Sequence, residues 1–233
     1  ITGINIKTGG GATGSLSLSS NTIAKLTSRG VAGSITGINQ ATASGALAYI
    51  GSVNFNGNTI DTLTTALKTG NVTGYFIGAN VSPVQNIYKN KVYNLSAGKD
   101  SANSSATVYG MQINGGTTVT AYNNLISNLD ANTDTAANGV IGVNVSGGTT
   151  VNLYHNTISV AATSTAGNFG SSGVYAAIAP TLTMINNIIS NTSSKGTGKT
   201  VAYRRASGTA STVPSTYTAS SNNNLFYAGT PGA

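Results

Sequence analysis

Val151-Asn152-Leu153-Tyr154-His155-Asn156-Thr157-Ile158 is the stretch that decides the fold. Val151 and Leu153 are spaced as one face of a strand. The count then slips by one residue before Asn156 and Ile158 resume the same face. A strand cannot slip in this way without a bend. The stretch therefore reads as strand, corner, strand, with the corner just before or at Asn156.

The same pattern recurs along the whole chain. An Asn stands two places before a large apolar residue seven times, at Asn21/Ile23, Asn58/Ile60, Asn90/Val92, Asn124/Ile126, Asn156/Ile158, Asn187/Ile189 and Asn224/Phe226, at intervals of 37, 32, 34, 32, 31 and 37 residues. Counted from each Asn, positions −5 and −3 hold Leu16/Leu18, Val53/Phe55, Gln85/Ile87, Val119/Ala121, Val151/Leu153, Leu182/Met184 and Ala219/Ser221. A third apolar segment opens on Gly, as in Gly3-Ile4-Asn5-Ile6, Gly110-Met111-Gln112-Ile113 and Gly142-Val143-Asn144-Val145. Three short strands and three turns per period describe a parallel β-helix, in which each unit buries its apolar residues against its neighbours. The expected fold is all-β, one solenoid domain over residues 1–233 with about seven coils. Asn suits the corner twice over: it tolerates left-handed backbone, and its amide can bond the Asn one coil away at a rise of ~4.8 Å. Asn21, Asn58, Asn90, Asn124, Asn156, Asn187 and Asn224 are thus expected to form a structural ladder.

Composition removes most other classes. Charged residues are 6 % of the chain, against roughly 25 % in ordinary soluble domains, and Ser, Thr, Asn and Gly supply the polar surface instead. The formal charge is +7, but its basic residues are dispersed, so nucleic acid is not an expected partner. With no Cys there is no disulfide framework and no thiolate metal site. No apolar run approaches the ~20 residues of a membrane-spanning helix. The chain opens on Ile1 without a signal-like stretch, which suggests a processed piece of a longer exported protein.

With these repeats, the chain resembles the right-handed parallel β-helices of the pectate-lyase-like superfamily, whose interior carries an Asn ladder. Tyr122-Asn123-Asn124-Leu125-Ile126, Tyr154-His155-Asn156-Thr157-Ile158 and Asn223-Asn224-Leu225-Phe226-Tyr227 are similar to repeats of large Gram-negative surface proteins, many exported by the type IX system. The resemblance implies an extracellular or cell-surface location. It does not imply one activity, because this fold hosts lyases, hydrolases, adhesins and inert stalks.

Polysaccharide-cutting members need clustered acids, and the only acids are Asp61, Asp100, Asp130 and Asp134. Asp100 and Asp134 share position +10 and could line one loop edge, without a third acid. His155 is the single His and stands at −1, where other units place Ser20, Gly57, Lys89 and Asn123. No nucleophilic triad can be assembled from one His and no Cys. The expectation is therefore no catalytic residue, no metal and no cofactor. Tyr88, Tyr122 and Tyr154 all occupy −2 and predict an outward stack. It is a candidate contact for sugar or a partner, although stacked rings hide the faces that sugars use. Asp61-Thr62-Leu63, Asp100-Ser101-Ala102 and Asp134-Thr135-Ala136 are similar to the O-glycosylation sequon of bacteria with type IX export, which makes Thr62, Ser101 and Thr135 candidate attachment sites. The function expected is a non-enzymatic structural protein: a rod, stalk, adhesin or fibre subunit. It would associate end to end or continue a longer chain, with cell-surface glycan as a further partner. A carbohydrate-binding or polysaccharide-degrading module is the alternative.

Overall fold

A computed structural model describes residues 1–7, 14–29, 33–41, 51–66, 68–78, 84–98, 104–132, 134–164, 166–194, 196–206 and 216–229. Each strand pairs in parallel with its counterpart one turn away, so the chain winds as an all-β parallel solenoid with no helix among the described residues. The first sheet contains Thr2–Lys7, Ile35–Ala41, Val72–Ile77, Val108–Ile113, Val140–Val145, Ser171–Ala176 and Thr200–Arg205. The second contains Ser15–Ser19, Ser52–Asn56, Val84–Tyr88, Thr118–Tyr122, Thr150–Tyr154 and Thr181–Ile185. The third contains Thr22–Ser28, Thr59–Thr65, Lys91–Ala97, the broken strand Leu125–Ile126 and Leu129–Asp130, then Thr157–Val160, Ile188–Asn191 and Leu225–Tyr227.

Among the described residues the expected count of about seven coils becomes six complete three-strand turns and a seventh without a strand in the second sheet. Ala219 and Ser221, expected on an inward strand face, lie instead in a segment tied to the sheet by isolated bridges at Tyr217 and Asn222. Elsewhere the −5, −3 and +2 columns point inward as the spacing requires, from Val53 and Phe55 through Leu182, Met184 and Ile189. Gln85 is buried in the −5 column among aliphatics.

The corner itself corrects one part of the sequence reading. The left-handed residue is not the ladder Asn but its predecessor: Ser20, Gly57, Lys89, Asn123, His155, Asn186 and Asn223 all have φ between 53° and 62°. That backbone costs a residue with a Cβ roughly 1–2 kcal/mol, and the sequence at −1 is mixed because the neighbouring turns hold the corner in place. His155 sits there as a corner residue with an exposed ring.

A second slip was not anticipated. Lys25, Thr62, Asn94 and Asn128, all at +4, also have positive φ, and the inward residue moves to +5 as Leu26, Leu63, Leu95 and Leu129. The next two turns lack this bulge, and Val160 and Asn191 face inward at +4. A bulge adds one residue without breaking the ladder on either side.

Glycine fixes the distance between the first and third sheets. A methyl added at Gly3, Gly37, Gly74, Gly110, Gly142 or Gly173 would lie 2.4–2.8 Å from the +2 side chain of its own turn, and equally close to the backbone oxygen one turn on. Only a residue without Cβ lets these backbones meet. Ala202 occupies this column in the last turn.

Candidate functional site

The ladder is the most completely built polar feature of the molecule. From Asn21 to Asn187, each Nδ2 donates to Oδ1 of the next Asn at 2.8–3.1 Å. The backbone N–H of the same residue donates to that oxygen at 2.9–3.1 Å. From Asn58 onward, the second Nδ2 proton donates to the −3 carbonyl of the preceding turn, from Leu18 to Met184, at 2.7–3.0 Å. Each interior amide therefore makes four hydrogen bonds, the full use of a buried carboxamide. Asn90 Oδ1 also accepts the Tyr75 hydroxyl at 2.8 Å. From Asn58 to Asn187 nothing in this column is left over to engage a substrate.

The Tyr column is outward and half-buried. Tyr88 and Tyr122 stack with centroids 4.8 Å apart and 5° between planes, and Tyr154 follows in backbone register beyond the pair. Burial, then the neighbouring Tyr88, raises the Tyr122 phenol above its ordinary pKa. Stacking along the rod axis hides ring faces and presents edges. Lys89, Lys91 and His155 are exposed on the adjoining columns.

The three acids of the described residues serve three different local purposes. Asp61 accepts from Thr62 Oγ1 at 2.8 Å and from Asn94 Nδ2 at 2.7 Å, while Asn128 Nδ2 bonds Asn94 Oδ1, giving a short external ladder beside the second bulge. Asp130 lies half-buried beside the same bulge, paired through its backbone with Ser96. Asp134 is fully buried, and its Oδ1 accepts from Ala136 N–H at 2.9 Å. Ser104 and Ser164 make the same bond two residues on, to Ala106 and Ala166, so Asp134 occupies a corner that neighbouring turns build with Ser. Its other oxygen has no partner among the described residues, and burial pushes the carboxyl up to about 6 against the two backbone N–H groups that favour its charge.

The candidate glycan sites meet different surroundings. Thr62 and Thr135 are half-buried, with hydroxyls bonded to the Asp61 carboxylate and, at 3.1 Å, to the Ser104 carbonyl. Ser101 and Asp100 lie outside the described residues, so the expected Asp100–Asp134 loop edge is not placed. Among the described residues no group of three or more His, Asp or Glu can hold a metal ion. No helix there is long and apolar enough to cross a membrane.

Sequence reasoning missed the glycine column, the second bulge and the Ser104–Asp134–Ser164 corner. The first two left signals: a Gly opening each first-sheet core and a Leu at +5 in four successive units. The chain matches no protein-family model, no curated protein and no solved structure.

Proposed function

We propose that this chain is a non-enzymatic structural module of an extracellular or cell-surface protein, a solenoid rod that spaces or displays what it is joined to. The observation that carries the reading is that the repeated side chains engage one another. The ladder amides are saturated, the glycines fit the facing aliphatics, and Tyr88 covers Tyr122. Six complete turns and a partial seventh at ~4.8 Å make a body only ~30 Å long, so a spacing role implies joining end to end with further solenoid, of the same chain or another. The finer reading, a right-handed relative of the pectate-lyase-like superfamily exported by a type IX system, belongs to this proposal. So does O-glycosylation at Thr62, Ser101 and Thr135, which at Thr62 and Thr135 would replace existing hydrogen bonds.

Imaging of the native material together with intact-mass analysis tests the reading. Rods or fibres carrying mass above the bare polypeptide support it. A dispersed protein that depolymerises a polysaccharide refutes it. The second reading, a carbohydrate-binding module, draws on the exposed Lys89, Lys91 and His155 beside the Tyr column. Glycan binding that disappears in Tyr122→Ala would favour it over a passive rod.

A further inference from the structure

The two ends of the solenoid are not equivalent. In the first turn every column is regular. Gly3 stands in the glycine column, Ile4, Ile6, Leu18 and Leu26 are half-buried, and Leu16 is 37 % exposed. Among the described residues, nothing donates to Asn21 Oδ1, the acceptor that every later Asn offers to the turn before it.

The last turn departs from the repeat in each sheet. In the first sheet, Ala202 replaces Gly. In every earlier turn, a Cβ in this column would sit 2.4–2.8 Å from the backbone oxygen of the next turn. Ala202 carries that Cβ, so an eighth turn in register would drive its backbone into a methyl group. Arg205 continues the inward column that runs Ile77, Ile113, Val145, Ala176. Its guanidinium donates to the carbonyls of Ile178 at 2.8 Å and Pro180 at 3.1 Å, and bonds Thr216. A further turn would seal this cation under aliphatic side chains, which is costly without a counter-ion.

In the second sheet, residues 216–222 cover the edge strand Thr181–Ile185 without forming a strand. Leu182 N–H donates to the Thr216 carbonyl and its own carbonyl accepts from Thr218 N–H. Met184 N–H finds Ser221 Oγ at 3.0 Å, and Met184 O accepts from Asn222 N–H. The edge is satisfied, partly by a side chain, and offers no new template. In the third sheet, Phe226 stands where earlier turns place Ile or Val; it keeps register with Ile189 and is 45 % exposed, its ring 6.2 Å from that of Tyr203.

We infer that residues 200–206 and 216–226 form a built-in stop that closes the solenoid against in-register stacking, so that any further turn joins at the first turn. Copies of this chain therefore do not stack head to tail through Asn224 on Asn21. The device answers the hazard of an open sheet edge, which otherwise templates uncontrolled pairing. It rests on the geometry of the last turn and stands whether or not the rod has the structural role proposed above.

Two experiments on the full chain test it. In hydrogen exchange, Leu182 and Met184 amides should be as protected as those of Val151 and Leu153, and at least about tenfold slower than those of Ser17 and Ser19, which the register points away from the second turn. Equal exchange at both ends would overturn the inference. In sedimentation, a variant whose residues 200–229 are replaced by a second copy of 171–199 should form open-ended oligomers. Its association should be at least about tenfold tighter than that of the native chain, and Leu16→Lys should abolish it. Native chain that polymerises as readily as the swapped one refutes the stop.

Discussion

Replacing Asn124 by Ala tests the ladder where it is deepest. The side chain is buried, and its amide makes four bonds: to Asn156 Oδ1, to the Ile87 carbonyl, and from the N–H and Nδ2 of Asn90. At about 1 kcal/mol net for each, the loss is about 4 kcal/mol, and the unpaired Asn90 N–H keeps it from falling lower. With an unfolding entropy of about 2.1 cal/mol/K per residue over 233 residues, that is a fall in Tm of about 8 °C. The control is Asn21→Ala. Its Nδ2 bonds only Asn58 Oδ1 and the Ser19 carbonyl, at the half-exposed end where water replaces what is lost. It should cost about 1 kcal/mol. Thermal and urea unfolding followed by far-UV circular dichroism measure both. Equal losses for the two variants would refute the claim that vertical amide bonding, rather than local corner geometry, is what the repeated Asn supplies.

Gly110→Ala should destabilise by about 3 kcal/mol or more, because its methyl would lie 2.4 Å from Ile126 Cγ2 and 2.6 Å from the Gly142 oxygen. Gly167→Ala, with open space around the added carbon, should change stability by less than about 1 kcal/mol in the same unfolding assay. Thr62→Asn should gain about 0.5–1 kcal/mol despite the lost bond to Asp61, since a β-branched residue is strained at φ 53° and Asn94 and Asn128 already occupy this column. Asp134 has a folded pKa of about 6 against an ordinary 3.8, so its neutral form is the one the fold prefers. Its contribution is therefore fully present below about pH 4 and lost as pH rises through 6, up to ~3 kcal/mol. Asp134→Ser, matching Ser104 and Ser164, should flatten the unfolding midpoint between pH 4 and 7; an unchanged slope would count against this assignment.

The features legible in the sequence are those that depend on a single strand. Alternation at −5 and −3, the slip before Asn156 and the +2 aliphatics need only the two-residue period and the rule that inward residues are apolar. The glycine column was visible as residues but not as a cause, because its reason is a contact between Gly110 and Ile126, which belong to different sheets. Left-handed backbone was assigned to Asn when the residue before it bears it, since Asn123, Asn186 and Asn223 disguised a position that Lys89 and His155 also fill. Asp134 looked like part of a modification motif, and its burial under the corner could not be read from neighbours in sequence. The turn count came out high because Asn224 and Phe226 keep the motif in a turn that has lost its second-sheet strand.

The change in the third sheet has an energetic consequence. In a solenoid, stability is nearly a sum over interfaces between adjacent turns, so an interface with fewer pairs is a seam. Between the first four turns the +4 bulges stack on one another, and Leu63 pairs with Leu95 and Leu95 with Leu129. At the fourth turn the bulge meets the straight strand Thr157–Val160. Only Leu125 with Thr157 and Ile126 with Ile158 remain paired in this sheet. On the far side, four pairs from Thr157 to Val160 resume. The ladder bond from Asn124 to Asn156 crosses the seam unbroken, and so do the pairings of the first and second sheets. The interface is thus thinned in one sheet of three. Under partial denaturation, amides of the third sheet next to this junction, Ser127 to Leu129 and Ser159 to Val160, should exchange before their counterparts at Leu63 and Leu95. Deleting Asn128 would straighten the fourth strand to match the fifth, while moving the mismatch one turn toward the first. If exchange in that variant stays fastest at the original junction, register mismatch is not what makes the seam.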